Sequence, residues 1–179
     1  GVPAAIGFAE RSGIPFGEGL IKNRYIGRTF IQPSQSIRQL GVRLKLNPLT
    51  QAIAGKRLVV VDDSIVRGTT SRKIVEILKD AGAAEIHMRV SSPPISCPCF
   101  YGIDTADRSE LIASTMSVEE IREFLGADTL HYLSMDNLVR SCMSPRDKFC
   151  TACFDGHYLF GAQDELKMSK YRLEERSPA

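Results

Sequence analysis

The chain has 179 residues, 43% of them hydrophobic and 25% charged, which fits one globular domain or slightly more and needs no staple to form a core. Lys and Arg number 23 against 21 Asp and Glu, and a net charge of +2 gives no footprint for nucleic acid or a membrane surface. The longest strand-like apolar run, Leu58-Val59-Val60-Val61, is far short of the roughly 20 residues that span a bilayer. Residues 1–7 lack the basic start and long apolar stretch of a signal peptide, and without an initiator Met the expectation is a piece cut from a longer polypeptide. Five cysteines are too few for a disulfide scaffold, so a reducing cytoplasm is expected.

In chain order, Pro3 to Arg11 reads as a short helix stopped by Gly13. From Leu20 to Asn47, cations (Lys22, Arg24, Arg28, Arg38, Arg43, Lys45) interleave with Tyr25, Phe30, Gln32 and Pro33. That stretch is a loop or a helix pair, either a solvated basic surface or a segment with a task for positive charge. Arg57 to Val61 is expected as a buried strand, followed by a helix from Thr69 or Thr70 that stops at Gly82, then a strand from Ala84 to Ser91. Strand, helix and strand make a βαβ unit, which requires parallel pairing. Ser117-Val118-Glu119-Glu120 is a capping box opening a helix over 118–125, stopped by Gly126. Thr129 to Leu133 is a short strand, and Ser134 caps a helix through Ser141. Residues 1–144 then form one α/β domain with a parallel sheet flanked by helices, and 145–179 a charged, Cys-containing tail frayed after Leu166.

The most informative stretch is Val61-Asp62-Asp63-Ser64-Ile65-Val66-Arg67-Gly68-Thr69-Thr70-Ser71. A strand delivers two adjacent carboxylates at its C-terminal edge, where open α/β sheets bind ligands, and a Gly-containing loop then enters a helix N-terminus whose free amides favour phosphate. Gly68 permits close backbone approach, and Thr69, Thr70 and Ser71 add hydroxyl donors. Asp62 and Asp63 suit a vicinal diol or Mg2+ held through water. A ribose 5-phosphate fits that order. The loop matches neither the Gly-x-x-x-x-Gly-Lys-Ser/Thr of nucleoside triphosphatases nor the Gly-x-Gly-x-x-Gly of dinucleotide folds. The bland alternative is a capped helix after a strand with two solvated acids.

Four apolar residues, two acids and a Gly-Thr-Thr ending resemble the phosphoribosyl pyrophosphate (PRPP) loop of the type I phosphoribosyltransferase family. The resemblance narrows to its glutamine PRPP amidotransferase branch through three further segments. These are Ile21-Lys22-Asn23-Arg24-Tyr25-Ile26-Gly27-Arg28-Thr29-Phe30, Pro98-Cys99-Phe100-Tyr101-Gly102-Ile103-Asp104, and Cys150-x-x-Cys153 before Phe154-Asp155-Gly156. The resemblance implies that Asp62 and Asp63 bind the ribose diol and Mg2+, and that Ser64, Ile65, Val66, Arg67, Gly68, Thr69 and Thr70 cradle the 5-phosphate. It also implies that the basic segment closes over PRPP, with Lys22, Arg24 and Arg28, and also Arg43 and Lys45, as candidates to stabilise departing pyrophosphate. The implied reaction joins ammonia to PRPP, giving 5-phosphoribosylamine and pyrophosphate at the opening of purine synthesis. Purine nucleotides would be feedback inhibitors, and the full-length enzyme a homo-oligomer. The family's glutaminase domain, with its catalytic Cys, has no counterpart here, and a Ser or Thr ligand to Mg2+ would stand before Gly1. The alternative is a non-catalytic sensor of PRPP or nucleotides on the same fold, although no helix-turn-helix pattern accompanies it.

The cysteines leave three readings open. The resemblance implies a four-iron four-sulfur cluster held by Cys99, Cys150 and Cys153, with its fourth ligand missing from this chain. Cys97, Cys99, Cys150 and Cys153 would instead make a zinc site, and buried free thiols are the plainest alternative. Cys142 is expected in the core. His87 and His131 are expected to be structural, and His157 a metal bystander at most.

Overall fold

The computed structural model describes residues 1–22, 46–103, 105 and 107–159. The expected roles of Arg24, Arg28, Arg43 and Lys45, and the fraying after Leu166, lie outside these residues.

Helix α1 (Val2–Ser12) begins with Pro3 in its first turn and ends at Gly13, whose φ of 74° lets its N–H reach back to the Ala9 carbonyl. It packs on β3 (Arg57–Asp62), the strand made by the β-branched run Val59-Val60-Val61. β3 pairs in parallel with β4 (Glu85–Val90), and β4 with β5 (Thr129–Tyr132), giving the order β3-β4-β5. Helix α3 (Thr69–Asp80) makes the crossover from β3 to β4, as the βαβ pattern requires. In β4 the alternation is clean: Ile86, Met88 and Val90 are buried, and the residues between them are half-buried. These three residues, Val75 and Leu78 of α3, and Ile121 and Leu125 of α5 (Val118–Leu125) form the core on one face of the sheet.

Both expected caps are present. Ser117 Oγ accepts the Glu120 N–H while the Glu120 carboxylate accepts the Ser117 N–H, and Ser134 Oγ accepts the Asn137 N–H at the start of α6 (Met135–Ser141). At the foot of the sheet, Asp128 grips Ile86 twice, its carboxylate accepting the Ile86 N–H at 2.7 Å and its own N–H donating to the Ile86 carbonyl.

Three expectations are corrected. β3 is not fully buried, because it is an edge strand among the described residues, with Arg57 exposed and the rest half-buried, although α1 packs on it. The ends of the basic segment are strands: β1 (Leu20–Lys22) pairs antiparallel with β2 (Leu46–Pro48), Lys22 opposite Leu46. Cys142 is exposed, because it caps α6 at a helix end with no buried residue. One-turn helices α2 (Thr50–Ile53), α4 (Ile112–Thr115) and α7 (Ala152–Asp155) are too short for periodicity to show in the sequence. Helix α7 docks through the Cys153 carbonyl, which accepts the N–H groups of Ser96 and Cys97 at 3.1 and 3.0 Å. The Tyr158 hydroxyl adds a bond to the Pro98 carbonyl, and its ring lies 5.0 Å from that of Phe100.

Candidate active site

Strand β3 ends at Asp62, and the chain turns through 63–68 into α3, so the acids and the helix N-terminus share one edge of the sheet. The Asp62 carbonyl is fixed to β4 by the N–H of Ser91 at 2.9 Å and by its hydroxyl at 3.1 Å. Its carboxylate accepts the Asp63 N–H at 3.0 Å and the Ser71 hydroxyl at 3.3 Å. Ser71 is therefore corrected as a phosphate donor: at 3% exposure it turns inward on the first turn of α3 and holds Asp62.

The two acids differ in environment. Burial, reinforced by the adjoining Asp63 carboxyl, pushes Asp62 up to about 6, whereas its hydrogen bond with Asp62 lowers Asp63, which projects into solvent. Below about pH 6 the metal-free pair therefore holds a proton on Asp62, and a cation or a donor-rich ligand would displace it.

The turn into α3 needs Gly68. Its φ is 73°, and a Cβ there would lie 2.8 Å from Ile112 Cδ1 and 3.0 Å from Phe124 Cε1. No side chain caps α3, so its first-turn amides carry no cap, and Thr69 and Thr70 are exposed beside them. Ile65 is the loop's inward anchor at 1% exposure, Ser64 and Val66 are half-buried, and Arg67 points outward to pair with Glu110. The start of α1 also approaches this edge, a Cβ at Gly1 lying 3.1 Å from the Val61 carbonyl oxygen. Lys22 is exposed in the separate β1–β2 ladder.

Sequence reasoning missed the segment beneath the loop. The Ile112 N–H donates to the Val66 carbonyl at 2.9 Å, and Glu110 meets Arg67, a contact no local pattern discloses because 43 residues separate the pair. His87 is structural as expected, its ring bonded to Thr129 Oγ1 and Glu85, while His157 is exposed. A groove lined by Ile14, Arg57, Val59, His87 and Arg89 lies on the opposite face of the sheet, away from the acids.

Among the described residues no group of three His, Cys, Asp or Glu is arranged to hold a metal ion. Burial, with the thiols of Cys99 and Cys150 nearby, pushes the Cys153 thiol up, so these three cysteines are neighbours without forming a closed ligand set. Cys97 Sγ lies instead against Gly156.

The phosphoribosyl transferase domain family matches residues 1–95, which include the whole of this loop. The amidophosphoribosyltransferase of Synechococcus elongatus is 59% identical over 174 residues, 97% of this chain and 35% of that protein. That of Mycobacterium tuberculosis is 54% identical over 179 residues, again 97% of this chain, and 34% of its own length. Among solved structures, the glutamine PRPP amidotransferase from B. subtilis complexed with ADP and GMP superposes with a TM-score of 0.78 at 58% identity, over 88% of this chain and 36% of that one. The chain spans about a third of the length of these relatives. A parallel sheet whose first crossover loop carries two acids into an open helix N-terminus agrees with the fold of these neighbours, and the chain belongs to the phosphoribosyl transferase domain family.

Proposed function

We propose that this chain is the phosphoribosyltransferase part of an amidophosphoribosyltransferase, forming 5-phosphoribosylamine and pyrophosphate from PRPP and ammonia. In the full-length enzyme the ammonia would come from glutamine. The observation that carries this reading is the run of Asp62 and Asp63 off the end of β3 directly into the uncapped N-terminus of α3. The names of these relatives support the catalytic reading over a sensor.

In this reaction the nitrogen lone pair of ammonia attacks the anomeric carbon, the bond to pyrophosphate breaks with its electron pair leaving on oxygen, and a proton passes from the new ammonium to water. Asp62 and Asp63 accept bonds from the ribose hydroxyls and fix the ring. Backbone amides from Ser64 through Thr70 hold the 5-phosphate, with the Thr69 and Thr70 hydroxyls beside them. Lys22, Arg24 and Arg28 are the candidate cations for the pyrophosphate as its charge develops.

Two carboxylates with no third His, Cys, Asp or Glu grouped with them among the described residues suit Mg2+, which is usually held by one or two carboxylates plus substrate oxygens. When bound, Mg2+ would neutralise charge on the leaving group. The thiols of Cys99, Cys150 and Cys153 are the right donors for an iron–sulfur cluster, but a fourth ligand from outside this chain would have to complete it. Such a cluster would tie residues 145–179 to the domain at 1–144, and no step passes through it. Anaerobic purification should give iron with acid-labile sulfide, whereas stoichiometric zinc would favour the rival site that includes Cys97. Binding of ADP and GMP by the B. subtilis relative supports purine nucleotides as inhibitors. A cytoplasmic location and a homo-oligomeric full-length enzyme belong to the same proposal.

The test is pyrophosphate release from PRPP and Mg2+, with ammonia and then with glutamine, on this chain and on one extended upstream. Release with ammonia alone supports the reading, and silence from both chains overturns it.

A further inference from the structure

The PRPP loop reaches from Asp63 to Gly68 and lies outside helix and strand, so its shape must be imposed by a neighbour. That neighbour is the turn at 107–112, which meets the loop at three successive positions. The Val66 carbonyl accepts the Ile112 N–H at 2.9 Å, the Arg67 guanidinium pairs with the Glu110 carboxylate, and the bare Cα of Gly68 sits against Ile112 Cδ1.

The turn itself is anchored. Asp107 caps it, accepting the Ser109 N–H at 2.8 Å and the Ser109 hydroxyl at 2.6 Å. The Ser114 hydroxyl donates to the Arg108 and Leu111 carbonyls at 2.8 Å each, and Leu111 is fully buried. Glu110 is therefore a carboxylate on a fixed base, and Arg67 is a long cation on a loop whose backbone has to present its amides to a phosphate. An arginine left unpaired there would sample many rotamers and carry the loop backbone with it.

We infer that Glu110 is a positioning residue for PRPP: by holding Arg67 outward it fixes the amides of residues 64–70 in the form that receives the 5-phosphate. This rests on the proposed function of the same loop and extends it to a residue that acts through its pairing with Arg67. Because the pair only pre-organises binding, its loss should weaken PRPP binding without altering the chemical step.

The test measures KM and kcat for PRPP, with saturating ammonia and Mg2+, in the wild type and in Glu110→Gln, Glu110→Lys, Arg67→Gln and the double variant Arg67→Gln/Glu110→Gln. An exposed pair of this kind corresponds to about a threefold rise in KM for Glu110→Gln, and reversing the charge to about tenfold, with kcat unchanged. On the Arg67→Gln background, Glu110→Gln should add nothing, since its partner is already gone. A KM that stays at the wild-type value in both Glu110 variants overturns the inference, as does full additivity in the double variant. If a Glu110 variant is poorly folded, affinity of its folded fraction for ribose 5-phosphate by calorimetry gives the same decision. All variants are made in the upstream-extended chain as well as in this one: no PRPP turnover by either wild-type form overturns the underlying functional reading, whereas normal wild-type turnover with unresponsive variants overturns only the role of Glu110.

Discussion

Gly68→Ala tests the packing that shapes the loop from Asp63 to Gly68, and Gly126→Ala is its internal control. Both glycines have φ 73°, so both substitutions impose the left-handed penalty of about 1–2 kcal/mol on an L-residue. Their surroundings differ: at Gly126 a Cβ meets only Lys79 Nζ at 3.5 Å, the free end of an exposed side chain. At Gly68 it meets Ile112 Cδ1 at 2.8 Å and the Phe124 ring at 3.0 Å, and Ile112 is only 8% exposed. Overpacking of this kind adds about 1–3 kcal/mol, for a total of about 2–5 kcal/mol at Gly68 against about 1–2 at Gly126. For a chain of this size, melting should fall by about 5–15 °C in Gly68→Ala and about 2–6 °C in Gly126→Ala. Calorimetric titration should show weaker ribose 5-phosphate binding only in Gly68→Ala, whose loop must move to admit the methyl. Equal melting temperatures in the two variants, or unchanged affinity in Gly68→Ala, would refute the argument.

Asp62 carries a pH signature of its own. Its folded value near 6 exceeds the ordinary 3.8, so the folded state holds the extra proton between about pH 4 and 6, and metal-free stability falls as pH rises through that window. Asp62→Asn should therefore be about 1–3 kcal/mol more stable than wild type above pH 6 in chelator, match it below pH 4, and lose PRPP binding; a pH-independent difference in urea midpoints would contradict this. The Tyr132 hydroxyl is buried with no hydrogen-bond partner among the described residues, so Tyr132→Phe should gain about 1 kcal/mol in chemical unfolding. Ser117→Ala removes one half of the capping box and should cost about 1 kcal/mol, read as a melting decrease of about 2–4 °C.

Much of this was legible in the sequence where a local rule governs. Alternation in β4, the caps at Ser117 and Ser134, and the stops at Gly13 and Gly126 all depend on residues within one turn or one strand. The site's frame was legible for the same reason, since acids, loop and helix N-terminus are contiguous in the chain. The support of that frame was not. Glu110, Ile112 and Phe124 reach the loop from 43 or more positions away, and one-turn elements such as α4 have no period to read. Ser71 was misjudged because a hydroxyl on the first turn of a helix points either out to a ligand or back to the preceding strand, and only the packing decides between them. Cys142 was misjudged because an apolar neighbourhood in sequence does not place a helix end under cover.

The grip of Asp128 on Ile86 has a consequence for alignment. Side chains alternate with period two, so a slip of two residues between β4 and β5 would leave every apolar group on its own face. Hydrophobicity alone is therefore indifferent between the observed partners, Met88 beside Leu130 and Val90 beside Tyr132, and a displaced set. A carboxylate and an amide that must clasp the N–H and C=O of one residue together are not indifferent, because a slipped strand presents them to the wrong residue. One exposed aspartate thus acts as a ruler for the sheet, fixing at its foot how far β5 reaches along β4.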